Sequence, residues 1–360
     1  MGCCLSSSAT SPAEEIPDQN TPSSHKLLAF EPDSPLFSKL HTGKSRVFAE
    51  SSLPQFHEAG VWMPHTNEWL VTSNRLQPDT PKTHVQISAI HHPSGTVRDL
   101  PHLAKVISMA NGGTTDFAGG AYLCSQGFGE ISGSLWHIDA TLSSAKRVIQ
   151  PEDLMLNSVN DVVLHRASQT LLFTDPSYGV EVQHFRTSYN PTRAVWAVRS
   201  KGSVNSADWH KLSERADQPN GILLSPDESV CYVTDVWARE WQQNPDVMLK
   251  HTADPKRSRV LAYDVEYDVA SGDHRKSPTL TNPRVFCDLC TEEGASGYPD
   301  GIKCDENRNV YVGCGDGCRI YAPDGNYLGR FRIAGGVTNL VSNAEKGLVG
   351  GNRELVSVYS

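Results

Sequence analysis

The chain has 360 residues, 38% of them hydrophobic and 20% charged, enough apolar material for one large core or two small ones. Its net charge of −9 comes with no basic stripe of the kind that tracks nucleic acid, and no apolar run reaches the ~18–20 residues that cross a bilayer as a helix. The nine cysteines are odd in number and scattered, which argues against a disulfide framework and for reduced thiols. Cys287-x-x-Cys290 with Cys304, Cys314 and Cys318 matches no zinc spacing, so these read as small buried apolar residues.

In chain order, residues 1–44 come first. They begin rich in Ser, Thr, Pro and acids and predict a disordered tail. No apolar h-region marks a secretory signal, so a cytoplasmic location is expected. Met1-Gly2-Cys3-Cys4-Leu5-Ser6 fits an acylation site: Gly2 with Ser6 suits myristoylation, and Cys3 and Cys4 suit palmitoylation. Two acyl chains would attach the protein peripherally to the inner face of a membrane.

From residue 45 to 360 the expected domain is all-β. Short β-branched or aromatic runs alternate with Gly, Pro, Asn and Asp clusters at about 8–12-residue spacing. Examples are EWLVTSN, THVQISAIHH, GGAYLCSQG, GSLWHIDA, VCYVTDV, RVLAYDVEYD and NVYVGCG. Only short helical pieces are expected, near 101–110 and 238–250. An internal repeat organises the strands: DVVLHRASQTLLFTD (161–175), GILLSPDESVCYVTD (221–235), GIKCDENRNVYVGCG (301–315) and GVWMPHTNEWLVTSN (60–74) align without gaps. NLVSNAEKGLVGG (339–351) reads as a shorter fifth copy, and GGAYLCSQG with GSLWHID fills a sixth place. Six such hairpins, each extended to a four-stranded meander, predict a six-bladed β-propeller.

Each full copy places a polar residue just before its first strand: Glu58, Asn160, Asn220 and Asp300. In a propeller these positions ring the central channel at one end. Carboxylate and amide oxygens converging there suit a hard divalent cation, with calcium expected ahead of zinc, magnesium or manganese. His57 borders Glu58 and lines the same channel or contacts substrate. Asp175 and Asp235, at the ends of second strands, are expected at the opposite end as turn or capping residues. No G-x-S-x-G elbow and no HExxH occurs, which argues against a serine hydrolase or a zincin.

HEAGVW with TSN, NDVV with FTDPSYG, QPNGILLSPDE with YVTD, and YPDGIKCDENRNVYVGCGDG with YAPDG resemble the gluconolactonase/SMP-30/LRE-like superfamily, and its fungal lactonohydrolase branch in particular. The resemblance runs from about 50 to 350. It implies a six-bladed propeller with one divalent metal that opens a lactone to its hydroxy acid. Carried over by position, Glu58, Asn220 and Asp300 would be metal ligands. Asn160 would complete the shell or face the substrate, and Asp300 would act as general base. Some members carry arginine at the position of Ser158, a substrate contact whose loss here removes an anchor for a polyhydroxylated substrate. Long segments around Tyr189, Arg193, Trp196, Trp237 and Trp241 would roof the channel. Two alternatives remain: a same-fold isomerase, cyclase or esterase of a secondary metabolite, and a non-catalytic, membrane-associated scaffold.

Overall fold

The computed structural model describes residues 45–78, 80–149, 155–187, 190–200, 209–236, 258–267, 277–289, 298–331, 336–343, 346–350 and 354–358. Gly2, Cys3 and Cys4, the remainder of the expected tail, the stretch 238–250, Tyr189, Trp237, Trp241 and Cys290 lie outside them.

Twenty-four strands form six four-stranded antiparallel sheets. Five are consecutive meanders. Blade 1 runs β2 (Glu58–Met63), β3 (Glu68–Thr72), β4 (Ile87–His91) and β5 (Val97–Asp99). Blade 2 runs β6 (Ala110–Thr115), β7 (Ala121–Ser125), β8 (Ser134–Ile138) and β9 (Ala145–Arg147). Blade 3 runs β10 (Val162–His165), β11 (Thr170–Asp175), β12 (Ala194–Arg199) and β13 (Trp209–Ser213). Blade 4 runs β14 (Pro219–Leu224), β15 (Val230–Asp235), β16 (Arg259–Glu266) and β17 (Thr279–Asp288). Blade 5 runs β18 (Ile302–Cys304), β19 (Val310–Cys314), β20 (Gly317–Tyr321) and β21 (Tyr327–Phe331).

Five blades, not the expected six, are built this way. The remaining sheet is composite: β22 (Asn339–Asn343), β23 (Lys346–Gly350) and β24 (Glu354–Val358) accept the N-terminal strand β1 (Ser45–Glu50) on their outer edge. A circular arrangement has to be sealed somewhere, and here the seal consumes the first strand. A second correction concerns GGAYLCSQG and GSLWHID. They are the second and third strands of blade 2, because ANGGTT, which looks like turn sequence, forms the first.

The second strands β3, β7, β11 and β15 are buried along their whole length, as in TLLFTD and VCYVTD, because both faces meet neighbouring blades. This explains why they read as apolar runs rather than as an alternation. The core is correspondingly divided between blades. Tyr122, Cys124 and Leu135 of blade 2 pack on Val162, Leu171 and Phe173 of blade 3. Leu172 and Val195 pack on Ile222 and Val233, and Leu223 and Tyr232 on Ile302 and Val312. Phe48 and Ala49 of β1 pack on Trp69 and Ile90, which attaches the closing sheet to blade 1. Each Val, Leu, Ile or Phe among these contributes roughly 1.5–3 kcal/mol on burial. The described cysteines 124, 231, 287, 304, 314 and 318 form no disulfide with one another, and all but Cys304 are buried.

A closed circuit of hydrogen bonds links the first two strands of successive sheets, or the residues that lead into them. Thr72 Oγ1 donates to Asn111 O (3.1 Å), Gly112 N to Asn160 O (2.8 Å) and Thr174 Oγ1 to Asn220 O (2.6 Å). Thr234 Oγ1 donates to Asp300 O (2.9 Å), Gly301 N to Thr338 O (2.7 Å) and Thr338 Oγ1 to His57 O (2.7 Å). Each link joins one sheet to the next, and the last returns to the first.

Candidate active site

The circuit fixes the main chain beside one polar side chain per sheet: Glu58, Asn111, Asn160, Asn220, Asp300 and Asn339. Several first strands are irregular at this level. The ladder shifts between Ala59 and Val61, between Ala110 and Gly113, and between Pro219 and Ile222. Such bulges re-aim side chains that a regular pleat would bury between blades. At Glu58 the device is strongest. Ala59 and Gly60 both take left-handed φ, at 65° and 68°, a conformation that costs a non-glycine residue roughly 1 kcal/mol. Glycine is required at 221 for a different reason: a Cβ there would lie 2.5 Å from the Asp300 carbonyl oxygen.

Two carboxylates meet at the axis, each held by an amide from a neighbouring sheet. Asn339 Nδ2 donates to Glu58 Oε2 (2.7 Å), and Asn220 Nδ2 donates to Asp300 Oδ1 (3.0 Å). His57 joins them: one ligand atom from each of His57, Glu58 and Asp300 lies within 4.8 Å of the other two. Burial, then the Asp300 and Asp161 charges, push the Glu58 carboxyl well above the ordinary carboxylate range, against the Asn339 hydrogen bond and the Lys303 charge. Burial likewise pushes the Asp300 carboxyl up to about 7, although the residue keeps some exposure to the channel. Asp161 lies one residue beyond the ring. Its Oδ1 accepts from Val162 N (2.9 Å) and its Oδ2 from Ile222 N (3.2 Å), and burial raises its pKa too.

The pocket is rich in acceptors. The Asn160 and Asn111 Oδ1 atoms are buried with no hydrogen-bond partner among the described residues. Orphaned amide oxygens in the same ring as two buried carboxyl groups are costly on their own, and a cation satisfies both conditions. The residues present therefore fit a divalent ion.

Above the ring lies a π-helix, Tyr178–Val182. Tyr178 packs with Val182, Val236 and Tyr298, and its hydroxyl meets the Asn220 side chain. Burial and the Asp300, Asp235 and Glu58 charges hold that phenol well above its ordinary pKa. Ser158 is fully buried and its Oγ accepts from Gly179 N (2.8 Å), so this hydroxyl anchors the π-helix. Arg193 bonds Glu181 of the same helix (2.9 Å), and Trp196 is a buried strand residue of blade 3.

Asp175 and Asp235 require correction. A hairpin folds back, so the end of its second strand lies beside the start of its first: Asp235 pairs with Pro219. Asp175 accepts Asn157 N (2.9 Å) and Ser158 N (2.8 Å), while Asp235 accepts Gln218 N (3.0 Å) and pairs with Arg259 (2.9 Å). Both acids thus hold the segments that lead into the ring, at the ring's own end of the channel. Asn111, Asn339 and Tyr178 are not anticipated from sequence. Asn339 has a signal, since NLV at 339–341 parallels NDV at 160–162. Asn111 has none, because Asn-Gly-Gly resembles a turn.

Comparison with known proteins supports this architecture. A curated gluconolactonase of Zymomonas mobilis is 25% identical over 283 residues, spanning 76% of this chain and 69% of that protein. A gluconolactonase structure from Xanthomonas campestris superposes with a TM-score of 0.66 at 18% identity, covering 90% of this chain and 91% of that one. A calcium-binding regucalcin from Agrobacterium tumefaciens superposes with a TM-score of 0.58, also at 18% identity, over 88% and 95% of the two chains. At these identities the structural likenesses speak for the fold. The SMP-30/gluconolactonase/LRE-like family pattern matches residues 73–344, most of the chain, and the protein belongs to that family.

Proposed function

We propose that this protein is a divalent-metal-dependent lactonase, opening a lactone to its hydroxy acid at the channel end ringed by Glu58, Asn160, Asn220 and Asp300. The observation that carries the reading is the convergence of the Glu58 and Asp300 carboxylates, in a ring that also holds an orphaned Asn160 oxygen, in a chain of this family. A cation held there supplies Lewis-acid polarisation of the ester carbonyl.

The protein's own groups do the rest. Asn339 and Asn220 orient the two carboxylates through the 2.7 Å and 3.0 Å hydrogen bonds. Asp300 Oδ1 is held by Asn220, so its second oxygen takes the proton from the attacking water and returns it to the departing ring alkoxide. His57 and Asn160 border the same cage, from which each can reach the ion or the substrate. A second reading keeps the fold and cage but assigns a secondary metabolite as substrate. The apolar roof of Tyr178, Val182, Val236 and Tyr298, with Ser158 committed to Gly179, favours it. Cytoplasmic placement with acylation of Gly2, Cys3 and Cys4 belongs to the same proposal, and mass spectrometry of the N-terminal peptide tests it.

The deciding experiment is hydrolysis of aldonate and aliphatic lactones, followed by acid release in the presence of a pH indicator. It is run before and after chelation, after return of single divalent ions, and with Asp300→Ala. Turnover that disappears on chelation, returns with an ion and is absent from Asp300→Ala is expected. Turnover unaffected by both chelation and Asp300→Ala refutes the mechanism, and no turnover of any lactone refutes the lactonase reading.

A further inference from the structure

We infer that His57 is a direct nitrogen ligand of the ion in this cage, and that the site therefore takes a d-block divalent ion of the manganese-to-zinc series in preference to calcium. The inference rests on the metal reading proposed above.

Its starting point is geometric. A side-chain nitrogen of His57 shares a 4.8 Å cluster with oxygens of Glu58 and Asp300. Groups that coordinate one ion lie about 3–4 Å apart when each is about 2.1 Å from it, so modest side-chain adjustment completes the set. The His57 main chain is held on both sides: His57 N donates to Thr72 O (2.9 Å), and His57 O accepts from Thr338 Oγ1 (2.7 Å). The imidazole is thus presented by a clamped backbone and not by a loop free to swing away. Immediately after Glu58, the left-handed pair Ala59 and Gly60 turns the strand. In a regular strand His57 and Glu58 would point to opposite faces. Here both reach the same pocket.

The donor set has chemical consequences. Calcium takes six to eight oxygens and gains little from imidazole. Imidazole nitrogen suits zinc, iron, nickel and copper, affinity rises along the series from manganese towards zinc, and two carboxylates with one histidine on the same side of an ion leave positions for water and substrate. Residue spacing alone suggests an all-oxygen cage; the folded arrangement adds nitrogen to it.

The test uses the full-length protein, stripped with chelator and equilibrated with equimolar Ca²⁺, Mg²⁺, Mn²⁺ and Zn²⁺. Elemental mass spectrometry reads the bound ion. Pulsed electron paramagnetic resonance of the protein carrying one equivalent of Mn²⁺ reads nitrogen coupling to the metal, with His57→Asn beside it. One equivalent of manganese or zinc is expected in the wild type, with nitrogen coupling that His57→Asn abolishes. Loss of this ligand is expected to weaken Mn²⁺ binding at least about 10–100-fold, the scale seen when even outer partners of metal ligands are lost. Ca²⁺ affinity should be nearly unchanged. The spectroscopy on the wild type decides even if the variant fails to fold.

Calcium retained ahead of the d-block ions, or manganese bound without nitrogen coupling, overturns the inference. A protein that retains calcium ahead of the d-block ions and opens lactones overturns this inference alone and leaves the lactonase standing. A protein that binds manganese through His57 but opens no lactone does the reverse. No ion retained at all overturns both the nitrogen ligand and the metal dependence.

Discussion

Replacing Asp300 by Asn should stabilise the ion-free protein and weaken the ion-loaded one. Burial raises the Asp300 carboxyl to about 7, against about 4 for an ordinary carboxylate. A difference of about three pKa units corresponds to about 4 kcal/mol. This is an upper bound, because Asp300 retains some exposure to the channel, and about 2 kcal/mol is the more realistic figure once water screening is included. The direction follows from proton binding. The folded state holds the proton to higher pH than the unfolded state, so wild-type stability falls as pH rises from about 4 to about 7 and then levels off. The Asp300→Asn variant has no such dependence, and its amide oxygen can still accept from Asn220. Urea unfolding of chelated wild type and Asp300→Asn at pH 5, 6, 7 and 8 should therefore show a gap in favour of the variant that opens with pH. With an ion at about 100 times its Kd, the wild type should gain about 2.7 kcal/mol and the variant much less, reversing the order. A gap independent of pH, or a variant less stable than wild type in chelator at pH 8, would refute the picture of an uncompensated buried charge.

Other sites give further tests. Asn339→Leu removes the donor to Glu58 Oε2 and the acceptor of Leu340 N, each at 2.7 Å; ion affinity by calorimetry should fall roughly tenfold or more, and an unchanged Kd would remove Asn339 from the site. Gly221→Ala drives a Cβ to 2.5 Å from the Asp300 carbonyl oxygen, so a loss of roughly 1–3 kcal/mol in urea unfolding is expected, together with impaired ion binding. Wild-type stability in that variant would show that the two first strands are not tightly apposed. Burial holds the His165 imidazole below its ordinary pKa despite Glu228 at 3.7 Å, so the folded state resists protonation and stability should drop as pH falls below about 6.5. His165→Gln should flatten that acid limb, and an unaltered limb would assign it to other groups.

Much of the site is legible in the sequence because three of its acids and amides sit in repeated phrases. Asn160, Asn220 and Asp300 each precede a Gly or Asp and an apolar strand, so alignment of the copies alone picks them out. Composition then says oxygen cage. What sequence does not display is the result of folding back and of local irregularity. Counting along the strand puts Asp175 and Asp235 at the far end, whereas antiparallel pairing returns them to the near end. His57 is marked by its place beside Glu58, but its approach to both carboxylates is not, because alternation in a regular strand sends neighbours to opposite faces. Asn111 is hidden in a Gly-Gly sequence whose strand character comes entirely from its neighbours. The count of regular blades is misjudged for a related reason: repeats announce meanders, and nothing in SRVFAE announces that it belongs with ELVSV more than three hundred positions later.

That pairing of SRVFAE with ELVSV makes the two ends of the domain a single structural unit. The closing sheet supplies Thr338 and Asn339, the first bonding His57 and the second Glu58. A frameshift or proteolytic nick that removes the last strand would strike residues far from any reactive group in sequence. Its effect would nonetheless arrive at Glu58 through the loosened sheet. Loss of either 45–50 or 354–358 would thus be a lesion of the candidate active site, and expression variants should be judged by whether they keep the two segments together.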